Sequence, residues 1–571
     1  MTWSRTSADT FAADSLAGFV AAFGDSVRAV DGGVVLRARK PGQVAVVVGG
    51  GSGHYPAFAG MVGPGLASAA VCGEIFASPS AGQVYRVTQA AETGAGALLL
   101  YGNYMGDVLN FSHAQEKLRA GGMDVRTVRV TDDVVSAPSS EKHKRRGVAG
   151  DLFVFKVAGA AAARGQSLDQ VEAVAAKAND SVYSFGVAFD GCTLPGAEKP
   201  LFSVPEGMMS LGLGVHGEPG IGETDRPDPA GVAAALVSRV LEEPAPSDSK
   251  RVTVLLNGLG TMKYEELFVI YSHVNQLLSD KGFDIIRPEV GELVTSLDMG
   301  GCSLTIAWLD DELEELWAAP CDAPGFRRSV RDSSTAELSQ EPADQNSGRK
   351  NFVEPANSVE IGSRLRPIFQ AIAEQMAAIE TELGDLDAKT GDGDHGIGMA
   401  RGSRGAAEAL AASDAQGAVE LLSIAAEGWS ESGGGTSGAI WGILLGSIAS
   451  SLSRAPHITA EAVAQAMVES SRTVQDIGGA KVGDKTLVDA LEPFAASLSA
   501  AVTAGDPLHE AWIAASAKAS EAAAQTAELT PQIGRAKTHG QKGVGIPDAG
   551  AVSLARITAT VSDHLTEGQS A

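Results

Sequence analysis

Between residues 320 and 358 the chain loses all apolar periodicity, and the patterns on its two sides differ in kind. Upstream, segments 43–48, 97–101, 251–256 and 303–308 are short, continuous apolar runs, the pattern of strands buried on both faces, and they alternate with helical segments. Downstream, every segment reads as helix. It begins with the stripe Leu365, Ile368, Phe369, Ile372, Met376, Ile379 and Leu383, spaced to bury one helix face. The stretch between is rich in Asp, Ser, Pro, Gln and Asn, the composition of a flexible linker. A chain of 571 residues also exceeds one hydrophobic core. The expected organisation is multidomain: an α/β region over 1–320, a linker over 321–358 and an all-α region over 359–571.

Three carboxylates, Asp387, Asp392 and Asp394, fall in the glycine-punctuated run DAKTGDGDHG at the exit of the first downstream helix. A helix C-terminus carries partial negative charge, so acids there need a cation to offset them. Mg²⁺ takes oxygen ligands and keeps substrate phosphates in its shell, so a few carboxylates suffice. A solvated acidic turn would look the same locally. An EF-hand does not fit, because Gly398 stands where the twelfth-position Glu belongs. Gly435-Thr436-Ser437-Gly438 precedes an apolar helix whose amides and hydroxyls can take an anion or merely cap it. With the acidic cluster in the same region, nucleotide phosphate is the better reading, although no Walker loop occurs.

Two upstream strands run into glycine-rich turns, GGGSGHYP at 49–56 and GNYMGD at 102–107. In open α/β sheets, ligands bind outside the carboxyl ends of the strands. The first turn is not a dinucleotide fingerprint, since His54 stands at the third glycine position. His54 is either an acid–base group over that loop or a structural histidine. A formal charge of −26 excludes nucleic acid or an anionic membrane as main partner. Cys72, Cys192, Cys302 and Cys321 lack metal-site spacing and read as buried thiols. The N-terminus lacks a secretory core, so a cytoplasmic location is expected. The uncharged run 432–453 is about half Gly and Ser, and reads as a loop and buried helix rather than a membrane span.

Taken together, GGGSGH at 49–54, CGEIFASPS at 72–80, NYMGD at 103–107, GVHGEPG at 214–220, DAKTGDGDHG at 387–396, GGTSGA at 434–439, GDKT at 483–486 and GRA at 534–536 resemble, in order, the ATP-dependent dihydroxyacetone kinase family. The resemblance covers nearly the whole chain. It implies a ketose-binding K domain of two subdomains followed by an ATP-binding L domain, an eight-helix barrel. It further implies that His216 holds the substrate carbonyl covalently as a hemiaminal, with His54 assisting and Asp107 taking the proton of the attacking hydroxyl. The substrate loop would include Gly51, Ser52 and Gly53, with Tyr55 and Gly102 beside it. Two Mg²⁺ ions would sit on Asp387, Asp392 and Asp394. ATP would touch His395, Gly398, Thr436, Ser437, Gly478, Leu487, Arg535, Asp548 and Gly550. The family also suggests a homodimer through the K domains.

Departures from the family pattern bear on the substrate. Tyr55 and Phe58 replace an acid and a histidine, Gly102 replaces a lysine, and Met105 a threonine. The catalytic trio is kept. A lysine lost to glycine suggests room for a longer ketose, with Tyr55 as partner for its extra hydroxyl, and these four positions resemble those of the erythrulose kinases within the family, a resemblance that makes erythrulose, D or L, the expected substrate. Plain dihydroxyacetone kinase activity is the alternative, and a catalytically silent ketose sensor is the alternative of another class. Pairing with a separate phosphocarrier-recharged subunit is disfavoured by the fusion, and an FAD-cleaving lyase side activity stays open.

Overall fold

The computed structural model describes residues 8–218, 220–329, 352–533 and 543–565, and the chain divides into two units, Met1–Leu338 and Ser339–Ala571. Arg535 lies outside the described residues. In the first unit, β1 (Val27–Val30), β2 (Gly33–Leu36), β3 (Ala45–Ser52), β4 (Ala69–Ile75), β5 (Ala97–Gly102) and β6 (Val125–Val130) form a sheet in the order β1-β2-β4-β3-β5-β6. The last four in that order are parallel. Helices α1 (Ala8–Ala22), α2 (Ala81–Ala91), α3 (Met105–Ala120), α4 (Gly150–Ala163) and α5 (Leu168–Asp180) accompany it. Both faces are covered: Val46, Val48, Leu98 and Leu100 enter one core, Ala45, Val47, Leu99 and Tyr101 the other. Period-two alternation of this kind makes a doubly buried strand a continuous apolar run.

The second sheet holds β7 (Val182–Ala188), β8 (Met208–Leu211), β9 (Gly222–Asp225), β10 (Arg251–Gly258), β11 (Asp284–Ile285), β12 (Glu289–Gly291) and β13 (Gly301–Trp308). Its order is β11-β10-β13-β7-β8-β9, and β12 pairs with β10. Around β10 the sheet is mixed, with β11 and β12 parallel to it and β13 antiparallel. Helices α6 (Pro229–Leu241), α7 (Tyr264–Asp280) and α8 (Asp311–Ala318) complete the unit. Residues expected in the linker continue it: β14 (Cys321–Ala323) and β15 (Phe326–Arg328) form a hairpin. Phe326 stacks on Trp317, and Asp322 and Gly325 donate backbone hydrogen bonds to Pro64 and Gly60. The expected boundary at 320 is therefore early, because a three-residue hairpin strand is too short to show periodicity.

The second unit is helical: α9 (Ser358–Ala378), α10 (Glu380–Asp387), α11 (His395–Ala412), α12 (Ala418–Gly433), α13 (Gly435–Leu452), α14 (Ala460–Gly478), α15 (Val488–Ala504), α16 (Leu508–Gln525) and α17 (Ala549–His564). Each helix from α11 to α17 packs on the next, and α9 packs on both α11 and α17, closing a ring of eight, with the short α10 packed mainly on α11. The ring encloses an apolar cavity of about 760 Å³, lined by Phe369, Leu422, Trp429, Trp441 and Met467 among others. The apolar run around 432–453 is α13, whose Trp441, Leu444 and Leu445 are buried in this core. Glu354, also placed in the linker by sequence, accepts the amides of Val419 and Glu420 at the start of α12, so residues from 352 onward belong to this unit.

Candidate active site

The chain beyond β3 is positioned by close backbone approach. A Cβ on Gly49 would lie 2.8 Å from the Val71 carbonyl, on Gly50 2.5 Å from the Phe58 ring, and on Gly51 2.8 Å from the Ala77 amide. The glycines expected to form a turn thus continue the strand and bulge between Gly50 and Ser52. Gly53, at φ +106, then turns the chain so that His54 reaches the ends of the parallel strands.

His54 is buried, and its Nδ1 donates to the Thr295 carbonyl at 2.7 Å. Its Nε2 lies 3.0 Å from Nε2 of His216, on the loop between β8 and β9. Nδ1 of His216 donates to Glu218 at 3.0 Å, and Glu218 also accepts the His216 amide at 3.0 Å. These partners fix a proton on Nδ1 of each ring. Two Nε2 atoms at hydrogen-bond distance share a proton between them, with Glu218 at hand as counter-charge. Burial, and then the charge of His216, push His54 down to about 3. Burial would raise the Glu218 carboxyl, but the His216 hydrogen bond and charge, with Arg146 behind, bring it down to about 2. Arg146 is itself held by Asp133 at 2.7 Å. Phe76 stacks on His54 and Tyr104 packs edge-on to His216, with centroids 5.0 and 4.9 Å apart. Phe76 adopts φ +55, a left-handed conformation that concentrates at functional sites in non-glycine residues.

Asp107 stands in the first turn of α3 on the same pocket. Its Oδ1 is buried with no hydrogen-bond partner among the described residues. Burial pushes the carboxyl up to about 6 against the opposing Ser78 hydroxyl and His216 charge. Gly51 and Gly102 line this pocket, but Ser52, Gly53 and Tyr55 do not. Alternation along β3 sends the Ser52 hydroxyl to the Gly73 carbonyl at 2.6 Å, and Tyr55 lies half-exposed beside Phe19. Gly102 opens less room than expected: a Cβ there would lie 3.2 Å from the Tyr104 ring and 3.3 Å from the Gly147 carbonyl. The cavity measures about 30 Å³. Glu218, Tyr104, Phe76 and Asp151 also belong to this constellation. All but Asp151 fall inside the quoted motifs, and only the fold reveals their contacts.

In the second unit, oxygens of Asp387, Asp392 and Asp394 lie within 4.8 Å of one another. Asp387 ends α10, while Asp394 is the N-cap of α11. The cluster is therefore not only a helix exit, because the positive end of α11 offsets its charge. Asp387 accepts the amides of Gly393 at 2.9 Å and His395 at 3.3 Å. An all-oxygen carboxylate set at this spacing fits a hard divalent cation bound with phosphate. His395 bridges Ser437 on α13 and Ser553 on α17, at 3.2 and 3.0 Å. Thr436 and Ser437 open α13, Gly398 lies in the first turns of α11, and Gly478 ends α14. Leu487 caps α15, and Asp548 caps α17 through the Ala551 amide, with Gly550 beside it. Burial, and then Asp489 and Asp387, push Asp548 up to about 7 despite that bond and Lys485. Sequence reasoning missed Asp489, which accepts the amides of Gly483 and Thr486 and so locks the GDKT loop. Lys485 in that loop donates to the Leu529 and Gly543 carbonyls, a tie between loops.

A paired-histidine pocket in an α/β unit and a carboxylate cluster in a helical ring point to a two-domain phosphotransferase. Residues 17–325 match the Dak1 domain and 389–563 the DAK2 domain, so the chain belongs to the ATP-dependent dihydroxyacetone kinase family with the two domains fused. It is 48% identical to the D-erythrulose kinase of Mycolicibacterium smegmatis over 97% of each chain. It is also 48% identical to the L-erythrulose kinase of Pectobacterium atrosepticum, over 98% of this chain and 96% of that one. The dihydroxyacetone kinase of C. freundii, solved in complex with AMP-PNP and Mg2+, matches with a TM-score of 0.59 and 30% identity over 98% of both chains.

Proposed function

We propose that this kinase transfers phosphate from ATP to a terminal hydroxyl of a short ketose held as a hemiaminal on His216, with erythrulose preferred over dihydroxyacetone. The carrying observation is His216 itself, oriented by Glu218 through Nδ1 with its Nε2 facing His54. When the proton shared by the two Nε2 atoms sits on His54, the Nε2 lone pair of His216 attacks the ketone carbon. The C=O π bond becomes C–O, and His54 returns the proton to that oxygen. Positive charge arising on the alkylated imidazole is met by Glu218. Covalent capture selects ketones over water and glycerol, which lack a carbonyl. Asp107 then accepts the proton of the reacting hydroxyl as that oxygen attacks phosphorus.

Asp387, Asp392 and Asp394 would hold Mg²⁺, two ions in our reading, which when bound neutralises phosphate charge and orients in-line transfer. His395, Gly398, Thr436, Ser437, Gly478, Leu487, Arg535, Asp548 and Gly550 surround the nucleotide in the same reading. The erythrulose preference is supported by 48% identity to the two erythrulose kinases against 34% to the dihydroxyacetone kinase of Citrobacter freundii. A silent sensor is disfavoured, since it has no use for the acid triad. Four free cysteines suit a reducing cytoplasm. Tyr264, Phe268 and Val269, exposed on α7, suit a homodimer through the first unit.

The test is ADP release with D-erythrulose, L-erythrulose and dihydroxyacetone, alongside mass spectrometry of the His216→Ala variant. Higher kcat/KM for a tetrulose and loss of the covalent adduct are expected. A tenfold advantage for dihydroxyacetone, or an adduct persisting without His216, would overturn the corresponding part.

A further inference from the structure

The ketose pocket holds a second acid that the mechanism does not use. Asp151 lies in the first turn of α4, lines the cavity with Asp107 and His216, and is only 4% exposed. Its Oδ1 is fully buried and has no hydrogen-bond partner among the described residues. The amides that would satisfy it at a helix start are already taken: Asp132 accepts those of Val148 and Gly150, each at 2.8 Å. Arg146, which lies across the pocket at Glu218, is committed to Asp133 and Glu218. A buried carboxyl oxygen without a donor costs stability, so its retention calls for a partner that arrives from outside the fold.

Its position indicates which partner. A Cβ on Gly147 would come within 2.9 Å of the Asp151 Oδ1 and 2.5 Å of the Gly102 Cα, so the acid packs against the glycines that line the pocket with it. The Tyr104 hydroxyl is likewise buried without a partner among the described residues. With the ketone carbon on His216 and one terminal hydroxyl at Asp107, these are the unpartnered side-chain atoms left in the pocket for the rest of the substrate.

We propose that Asp151 is a specificity-determining residue, accepting a hydrogen bond from the hydroxyl on the ketose arm that extends away from Asp107, which a four-carbon ketose brings within reach and a three-carbon ketose does not. Tyr104 supports the same arm. This rests on the ketose-kinase reading above and assigns the discrimination to Asp151 rather than to Tyr55.

The test uses the full chain carrying Asp151→Asn or Asp151→Leu, assayed with erythrulose and dihydroxyacetone. In Asp151→Leu, kcat/KM for erythrulose should fall about tenfold to a hundredfold further than for dihydroxyacetone, mainly through KM, with Asp151→Asn between it and wild type. Melting temperature without ketose should stay equal or rise in both, since an unsatisfied acid is removed. A lowered melting temperature with equal loss on both ketoses would make Asp151 structural and overturn the proposal. Variants keeping the wild-type erythrulose-to-dihydroxyacetone ratio would overturn it while leaving the kinase reading intact. A wild-type enzyme preferring dihydroxyacetone, or turning over neither ketose, would overturn both.

Discussion

Asp107 must be ionised to accept a proton, yet its burial favours the neutral form. Its folded value of about 6 lies above the 3.8 of an ordinary aspartate, so folding disfavours its carboxylate. The sign follows: the fold is unburdened below pH 3.8 and loses stability as pH rises from there to about 6. Asp107→Asn should therefore raise stability by roughly 3 kcal/mol at pH 7 and by almost nothing at pH 4. It should also cut kcat by about a hundredfold or more. In wild type, kcat/KM should decline as pH falls through about 6. Melting curves at both pH values and a pH–rate profile check this, and equal melting temperatures at pH 7 would refute it. That His54, His216 and Asp107 gather at one pocket was legible because side-chain type and motif together mark them. Tyr55 was misplaced because residue spacing cannot show which way a chain leaves a bulged strand.

The helices could be read from periodicity because each buries one face in the ring, whereas the break of the first stripe at Ile379 left no gap in the apolar spacing. Sequence also placed the acidic cluster after a helix without seeing that a second helix starts at His395. What sets that junction is Gly396, where a Cβ would stand 1.9 Å from the Glu380 carbonyl and 2.9 Å from the Gly384 amide. Gly396→Ala must push α10 off α11, and with it Asp387 away from Asp394. Overpacking of this kind costs about 1–3 kcal/mol. The expected result is a lowered melting temperature together with a raised Mg²⁺ requirement for ATP turnover. A Mg²⁺ titration curve unchanged from wild type would show that the junction does not position the acids. The β14–β15 hairpin was illegible for the opposite reason, being held by contacts distant in sequence, to Pro64 and Gly60.

Across the whole molecule, the change of apolar pattern reported two units because each has its own cores, Val, Leu and Ala in the sheets against Ala-rich helices in the ring. Their order and fold class could therefore be read without any side-chain contact. His54 and His216, to which we assign ketose capture, lie in the first unit and the carboxylate cluster in the second. That division makes the partial reactions separable. Asp392→Ala in the full chain should abolish ADP release, because removing one of three clustered carboxylates weakens the cation site, yet ketose should still be captured on His216 in the mass spectrum. The exposed apolar residues of α7 are untouched by this substitution, so the variant should also keep the mass of a dimer at micromolar concentration, as the wild type should. Loss of the ketose adduct in Asp392→Ala would contradict the separation of sites. A monomeric mass for both proteins would remove the homodimer while leaving the chemistry of each unit as described.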